Sequence, residues 1–204
     1  EAASSLAKLR GAAAASFIDL REQPQRALQA QLIAALGRTG APSALATLLP
    51  IARGDEPVLA RAALDGMQEL WTRIPHDTLT ARTLRETGVA VLRSRDVALV
   101  TTAASLLGDS SLLAPSSVEP LVEALDRARL PHDIEAMQEI CSTLGKLKDE
   151  RAVDVLRNQL AQKDRSVVLA AAAALKTITG HSVDAEVPAY FEPLYTDYDF
   201  RYLH

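Results

Sequence analysis

Two short strings in this 204-residue chain pair a histidine with an aspartate, Arg73-Ile74-Pro75-His76-Asp77 and Arg129-Leu130-Pro131-His132-Asp133. An imidazole beside a carboxylate is the raw material of metal ligation and of acid–base catalysis. Each pair, however, stands just before a run of helical spacing, where Asp has a simpler use: its carboxylate accepts from the unpaired amides of a first turn. The strings also fall at different phases of the repeat described below, so stacking would not superimpose them. Capping by Asp77 and Asp133 is the reading. Cys141 is the single cysteine, which excludes an internal disulfide and a multi-thiolate metal site. It lies on the apolar side of its segment with no histidine there to activate it, so it is predicted to act as a small hydrophobe. Gly37-Arg38-Thr39-Gly40 has the spacing of a nucleic-acid clamping loop. Ala41-Pro42 follows it in place of strands, and a turn between repeats is the better reading. Gly-rich phosphate loops, paired cysteines and Gly-x-Ser-x-Gly elbows are absent from the sequence. No catalytic centre, cofactor or metal site is predicted for this chain.

The elements that would position such residues follow from composition. Hydrophobic residues make up 48% of the chain, enough to bury a core, while only 4% are aromatic, which argues against strand-built sandwiches and for helices. The longest apolar run, residues 167–175, is about half of the roughly 18 residues that span a bilayer, so no membrane insertion is predicted. The first residue is Glu1, which suggests an internal fragment or a processed product; cytoplasm and bacterial periplasm both stay open. The net charge of −4 is unevenly placed. Residues 181–204 hold Asp184, Glu186, Glu192, Asp197 and Asp199 against Arg201 alone; removing them from 26 acids and 22 bases leaves 21 of each sign before them. A neutral body with an acidic end disfavours nucleic acid, whose binding draws on a basic surplus. Six of the eight aromatics also lie in that end, so a boundary is placed near Gly180, with domain 1–180 and tail 181–204.

A repeat organises the first 180 residues. Leu36-Gly37, Leu107-Gly108, Leu144-Gly145 and Ile178-Thr179-Gly180 each close an apolar run, and Trp71-Thr72 fills the midpoint of the longest gap. Five units of 35 to 37 residues result, the glycines reading as left-handed residues just past helix ends. Each unit divides into two helices. The first gives helices over about 3–21 and from 25 to Leu36. The second gives Leu45 to Ile51, then a helix opened by Asp55-Glu56-Pro57 and carrying Leu59, Ala62, Ala63, Met67 and Leu70. The third gives 77–94 and 96–107, the fourth 116–129 and 133–144. The fifth gives 151–160 and a helix capped by Asp164 with Val167, Val168, Ala171, Leu175 and Ile178 on one side.

The string Leu144 to Val153, followed by Asp164-Arg165-Ser166-Val167-Val168 and the Ala170–Ala174 run, resembles a HEAT or HEAT-like repeat. Asp55 with Arg61 is similar to the acidic and basic pair that such repeats carry, and Pro50 and Pro120 resemble their first-helix proline. The last unit departs from the pattern, with Ala170 in the basic position. The resemblance implies an all-α fold, a right-handed α-solenoid of about five HEAT-like helix pairs with first helices on the convex side and second helices on the concave side.

On the polar side of the second helices, Arg61, Asp65, Gln68 and Thr72 recur at helical spacing in the second unit, as do Glu135, Gln138 and Ser142 in the fourth. Solenoids bind protein partners on this surface, and these residues read either as such a site or as simply solvated. Arg82, Arg85 and Arg93, interrupted by Glu86, read as a solvated convex face. In the tail, Pro188 and Pro193 disfavour a helix, and Tyr190, Phe191, Tyr195, Tyr198, Phe200 and Tyr202 suggest docking on the last helix pair as a cap, or a connector. Residues 187–203 are similar to the linker before the catalytic barrel in bacterial cyclophilin-type peptidyl-prolyl isomerases with HEAT repeats. That implies an accessory region beside a catalytic domain of the same parent chain. The function predicted is therefore a protein-interaction or scaffolding module without enzymatic activity of its own. The alternative is a HEAT-like enzyme, a bilin lyase or a helical-repeat DNA glycosylase.

Overall fold

A computed structural model describes residues 26–128 and 132–182, and among them the protein is all-helical. The predicted helix over 3–21 and the aromatic tail lie outside the described residues. Among the described residues nine α-helices follow one another: α1 Arg26–Arg38, α2 Ala44–Ala52, α3 Pro57–Trp71, α4 Thr78–Val91, α5 Val97–Leu107, α6 Val118–Arg127, α7 Ile134–Leu147, α8 Val153–Gln159 and α9 Arg165–Thr179. Single 3-10 turns, Pro115–Ser117 and Glu150–Ala152, lead into α6 and α8. Both replace the first turn of a predicted α-helix.

The helices pack in pairs, α2 on α3, α4 on α5, α6 on α7 and α8 on α9. The second members form a continuous layer in which α1, α3, α5, α7 and α9 each touch the next. The first members meet far less, and α2 barely reaches α4. The core lies between the layers and follows the sequence pattern. Leu48, Ala63, Met67, Leu70, Leu156, Val167, Ala171 and Leu175 are buried, while Leu45, Leu49, Ile51, Leu59 and Ile178 pack at its edge.

Helix starts follow simple chemistry. Asp77, Asp96 and Asp164 have extended backbones, which aim their carboxylates at first-turn amides: Asp77 accepts from Thr80 N, Asp96 from Leu99 N, and Asp164 from Ser166 N and Val167 N. Asp149 accepts from Arg151 N in the same way, and Pro57 stands in the first turn of α3, where no amide is needed. Asp133 departs from the prediction. It stands at the N-cap of α7, but its ψ of 19° turns the carboxylate away from that role and it makes no side-chain cap bond.

The glycines also correct the sequence reading. Of the four at unit ends, Gly180 alone is left-handed, at φ 77°. Gly37 and Gly145 lie inside α1 and α7, and Gly108 caps α5 with an ordinary φ of −84°. What they supply is closeness. A Cβ on Gly37 would fall 1.9 Å from the Gly66 carbonyl oxygen, one on Gly145 2.9 Å from Ala174 Cα, and one on Gly108 2.6 Å from Thr143 Oγ1. The left-handed turns that do follow α1 and α7 use Gly40 (φ 67°) and Lys148 (φ 53°).

The period itself reappears as bonds between pairs. Arg53 donates through Nη2 to Thr87 Oγ1 at 2.8 Å across 34 residues, Arg127 to the Leu92 carbonyl at 3.0 Å across 35, and Arg151 to the Pro115 carbonyl at 3.0 Å across 36. In the second-helix layer the Thr143 hydroxyl donates to the Ala104 carbonyl at 2.9 Å, joining α7 to α5.

Candidate functional site

The two predicted polar stripes both stand in the second-helix layer. Arg61 and Asp65 on α3 and Thr72 at its C-cap are exposed and Gln68 is half-buried; Glu135 and Ser142 on α7 are exposed and Gln138 is half-buried. They do not touch. Between α3 and α7 runs α5, whose half-exposed side carries Ala98, Thr101, Thr102 and Ser105. The Thr101 and Thr102 hydroxyls donate to their own helix, to Val97 and Ala98 carbonyls at 2.8 and 2.9 Å. The surface is therefore two charged stripes flanking an uncharged strip. Exposed Val58 at the start of α3 and Leu169 on α9 add isolated apolar points to the same layer.

Electrostatically, Asp65 is the perturbed member. Desolvation by its surroundings holds the carboxyl above the ordinary range, and the Arg61 guanidinium one turn away pulls it back. Arg61 forms no ion pair with Asp55 among the described residues, so the acidic and basic partners suggested by sequence are exposed neighbours without a bond.

The residues that suggested chemistry are engaged elsewhere. His76 stacks on Trp71 with ring centroids 4.1 Å apart at 10°, and its Nε2 donates to the Trp71 carbonyl at 2.9 Å. Asp77, next in sequence, faces Thr80 instead; hydrogen bonds from that residue, side chain before backbone, hold its carboxyl below the ordinary range. His and Asp are thus adjacent in sequence and divided in use. His132 is exposed, and residues 129–131 of the second string lie outside the described residues. Cys141 is buried, and burial pushes its thiol up to about 12, so the thiolate needed for attack does not form near neutral pH. Gly37-Arg38-Thr39-Gly40 is the turn that ends α1, closed by hydrogen bonds from the Thr39 amide to the Leu36 carbonyl and from the Gly40 amide to the Gly37 carbonyl. Among the described residues no group of three or more His, Cys, Asp or Glu converges as metal ligands would, and no helix is long and apolar enough to cross a membrane.

Sequence reasoning placed Arg93 with Arg82 and Arg85 on one helix face. Arg82 does pair with Glu86, at 3.8 Å, but α4 ends at Val91, and Arg93 belongs to the turn beyond it. The Trp71 cluster was not foreseen: its indole donates to Ser111 Oγ at 2.7 Å, and Ser111 donates in turn to Asp109. Trp71 and Ser111 are 40 residues apart, and only the packing of α3 against the segment after α5 brings them together.

The fold and this surface define a protein of paired helices in two layers. No protein-family model and no curated protein matches the chain. The tail residues Tyr190, Phe191, Tyr195, Tyr198, Phe200 and Tyr202 lie outside the described residues. On the last pair, Ala152, Leu156, Val168, Ala171 and Leu175 are buried, and Ile178 borders an open cleft of about 440 Å³ with Glu150 and Asp154.

Proposed function

We propose that this chain is a protein-binding scaffold of HEAT-like helix pairs stacked as a right-handed solenoid, with its partner along the second-helix layer. The observation that carries the reading is the placement of the α3 and α7 stripes, Arg61 to Thr72 and Glu135 to Ser142, on one continuous layer with an uncharged strip between. A layer in which α5 packs against both α3 and α7 holds such stripes apart by one helix, the kind of spacing that recognition of an extended or helical partner can use. Bonds between pairs at separations of 34, 35 and 36 residues support the repeat assignment. In the same reading the array is the accessory region of a bacterial multidomain peptidyl-prolyl isomerase, supported by the sequence of residues 187–203, and has no isomerase turnover alone. Photo-crosslinking residues at Gln68 and Gln138, with Glu123 on α6 as the outer-layer control, tests this in a lysate of the source organism. One partner captured from both inner positions and not from Glu123 is the result expected. Capture from Glu123 alone, or from none, overturns it.

A further inference from the structure

Where the turn between α4 and α5 meets the end of α6 and the start of α7, the molecule opens into a cleft of about 490 Å³. That is within the roughly 300–1,000 Å³ of small-ligand sites. Its walls combine two chemistries. Val97 and Val100 are half-buried apolar residues, whereas Arg93, Arg95 and Arg127 are exposed, with Asp133 as the one carboxylate among the described residues of the lining. Arg127 is held in place, since Nη2 donates to the Leu92 carbonyl at 3.0 Å and Nε to the Glu123 carbonyl at 3.1 Å. Those bonds leave three of the five guanidinium donors uncommitted. The Arg93 and Arg95 side chains make no hydrogen bond or ion pair among the described residues.

Three guanidinium groups around one recess repel one another unless an anion sits among them, and their planar forks suit a carboxylate or a phosphate group. The apolar part of the wall decides between ligands. A small free anion would leave the half-buried Val97 and Val100 wet, while a peptide carrying an apolar side chain beside its carboxylates covers them. We propose that this cleft binds an acidic peptide segment, with carboxylates on Arg93, Arg95 and Arg127 and an apolar side chain against Val97 and Val100. The site lies outside the α3 and α7 stripes and stands or falls separately from them.

The test uses the whole chain and a fluorescein-labelled peptide of alternating Asp, Glu and Leu, followed by anisotropy at near-physiological salt. Saturable binding is expected, weakened at least about tenfold in the Arg93→Glu/Arg95→Glu variant. Both positions are exposed, so that variant should melt as the parent does. Arg82→Glu/Arg85→Glu, which reverses as much charge on α4, should change binding by less than about twofold. Absence of saturable binding overturns the proposal, as does an equal loss in the α4 control. Tighter binding of a phosphoserine peptide than of the carboxylate one by about tenfold would also overturn it, by reassigning the cleft to phosphate.

Discussion

Gly37 of α1 and Gly66 of α3 meet backbone to backbone, so closely that a methyl group on Gly37 would lie 1.9 Å from the Gly66 carbonyl oxygen. The same register returns at the other end of the layer. Gly66 stands six residues before Thr72, and Ala174, which receives Gly145, stands six before Gly180. Two helix contacts, separated by most of the molecule, thus use one geometry, as expected of stacked equivalent units.

Gly37→Ala should therefore destabilise. In an unobstructed helix, alanine would gain up to about 1 kcal/mol over glycine. Here the helices must move apart, and overpacking of this kind costs about 1–3 kcal/mol. Gly180→Ala should also cost about 1 kcal/mol, for a different reason: nothing lies within 4 Å of its Cβ position, but its φ is 77°. Urea unfolding of the two variants, followed by the buried and unique Trp71, checks both. A Gly37→Ala protein as stable as the parent would contradict the close contact.

Buried hydroxyls should separate by partner. Ser117 Oγ is buried and without a hydrogen-bond partner among the described residues, so Ser117→Ala should raise stability by about 1 kcal/mol. Thr143→Val removes the bond to Ala104 while keeping the shape and should lower it by about as much. Denaturant midpoints moving in the same direction would refute the assignment.

Acid should unfold the protein partly through Asp149. Hydrogen bonding to the Arg151 side chain, then to its amide, brings this carboxyl down to about 2. Because the folded value lies below the unfolded one, near 3.9, the stabilisation is present above that pH and is lost as pH falls towards about 2. Asp149→Asn should lower the Tm at pH 6 and approach the parent near pH 2. Asp77 and Asp164 are also lowered and share this sense. Asp65 is raised, so its share is present at low pH and lost as pH rises through its folded value. A constant Tm gap across the titration would exclude the linkage.

Cys141 should resist a thiol-specific chromogenic disulfide at pH 8 while the protein is folded and react fully once it is denatured. Rapid labelling of the native protein would mean that the α5–α7 packing opens readily.

The helix pairs were legible because they rest on local signals. The apolar spacing of Val167, Ala171 and Leu175, the caps Asp77 and Asp164, and Pro57 in a first turn each act within one helix. The glycines were legible as landmarks and misread in mechanism. Sequence suggested backbone freedom, whereas at Gly37 and Gly145 the requirement comes from another helix that spacing does not reveal. Asp133 looked like Asp77, yet its own backbone angle removes the cap bond. Of the candidate surface, the exposure of the α3 and α7 stripes and the helix between them were legible from the units, whereas the half-burial of Gln68 and Gln138 depends on neighbouring helices and was not. Arg53, Arg127 and Arg151 have partners 34 to 36 residues away, and Arg93 and Arg95 gain their setting from α6 and α7; no local pattern announces such neighbours.

The arginine bonds between pairs have a mechanical consequence. In the second-helix layer α1 and α3, and α7 and α9, already meet at backbone contact and the Thr143 hydroxyl ties α7 to α5, whereas the first helices are joined chiefly by long side chains that can re-aim. A strip with one unyielding side and one compliant side changes its curvature by opening and closing the compliant side. The array should flex about its second helices as a spine, keeping the α1–α3 and α7–α9 contacts nearly constant while the α4 and α6 edges part and close like the leaves of a fan.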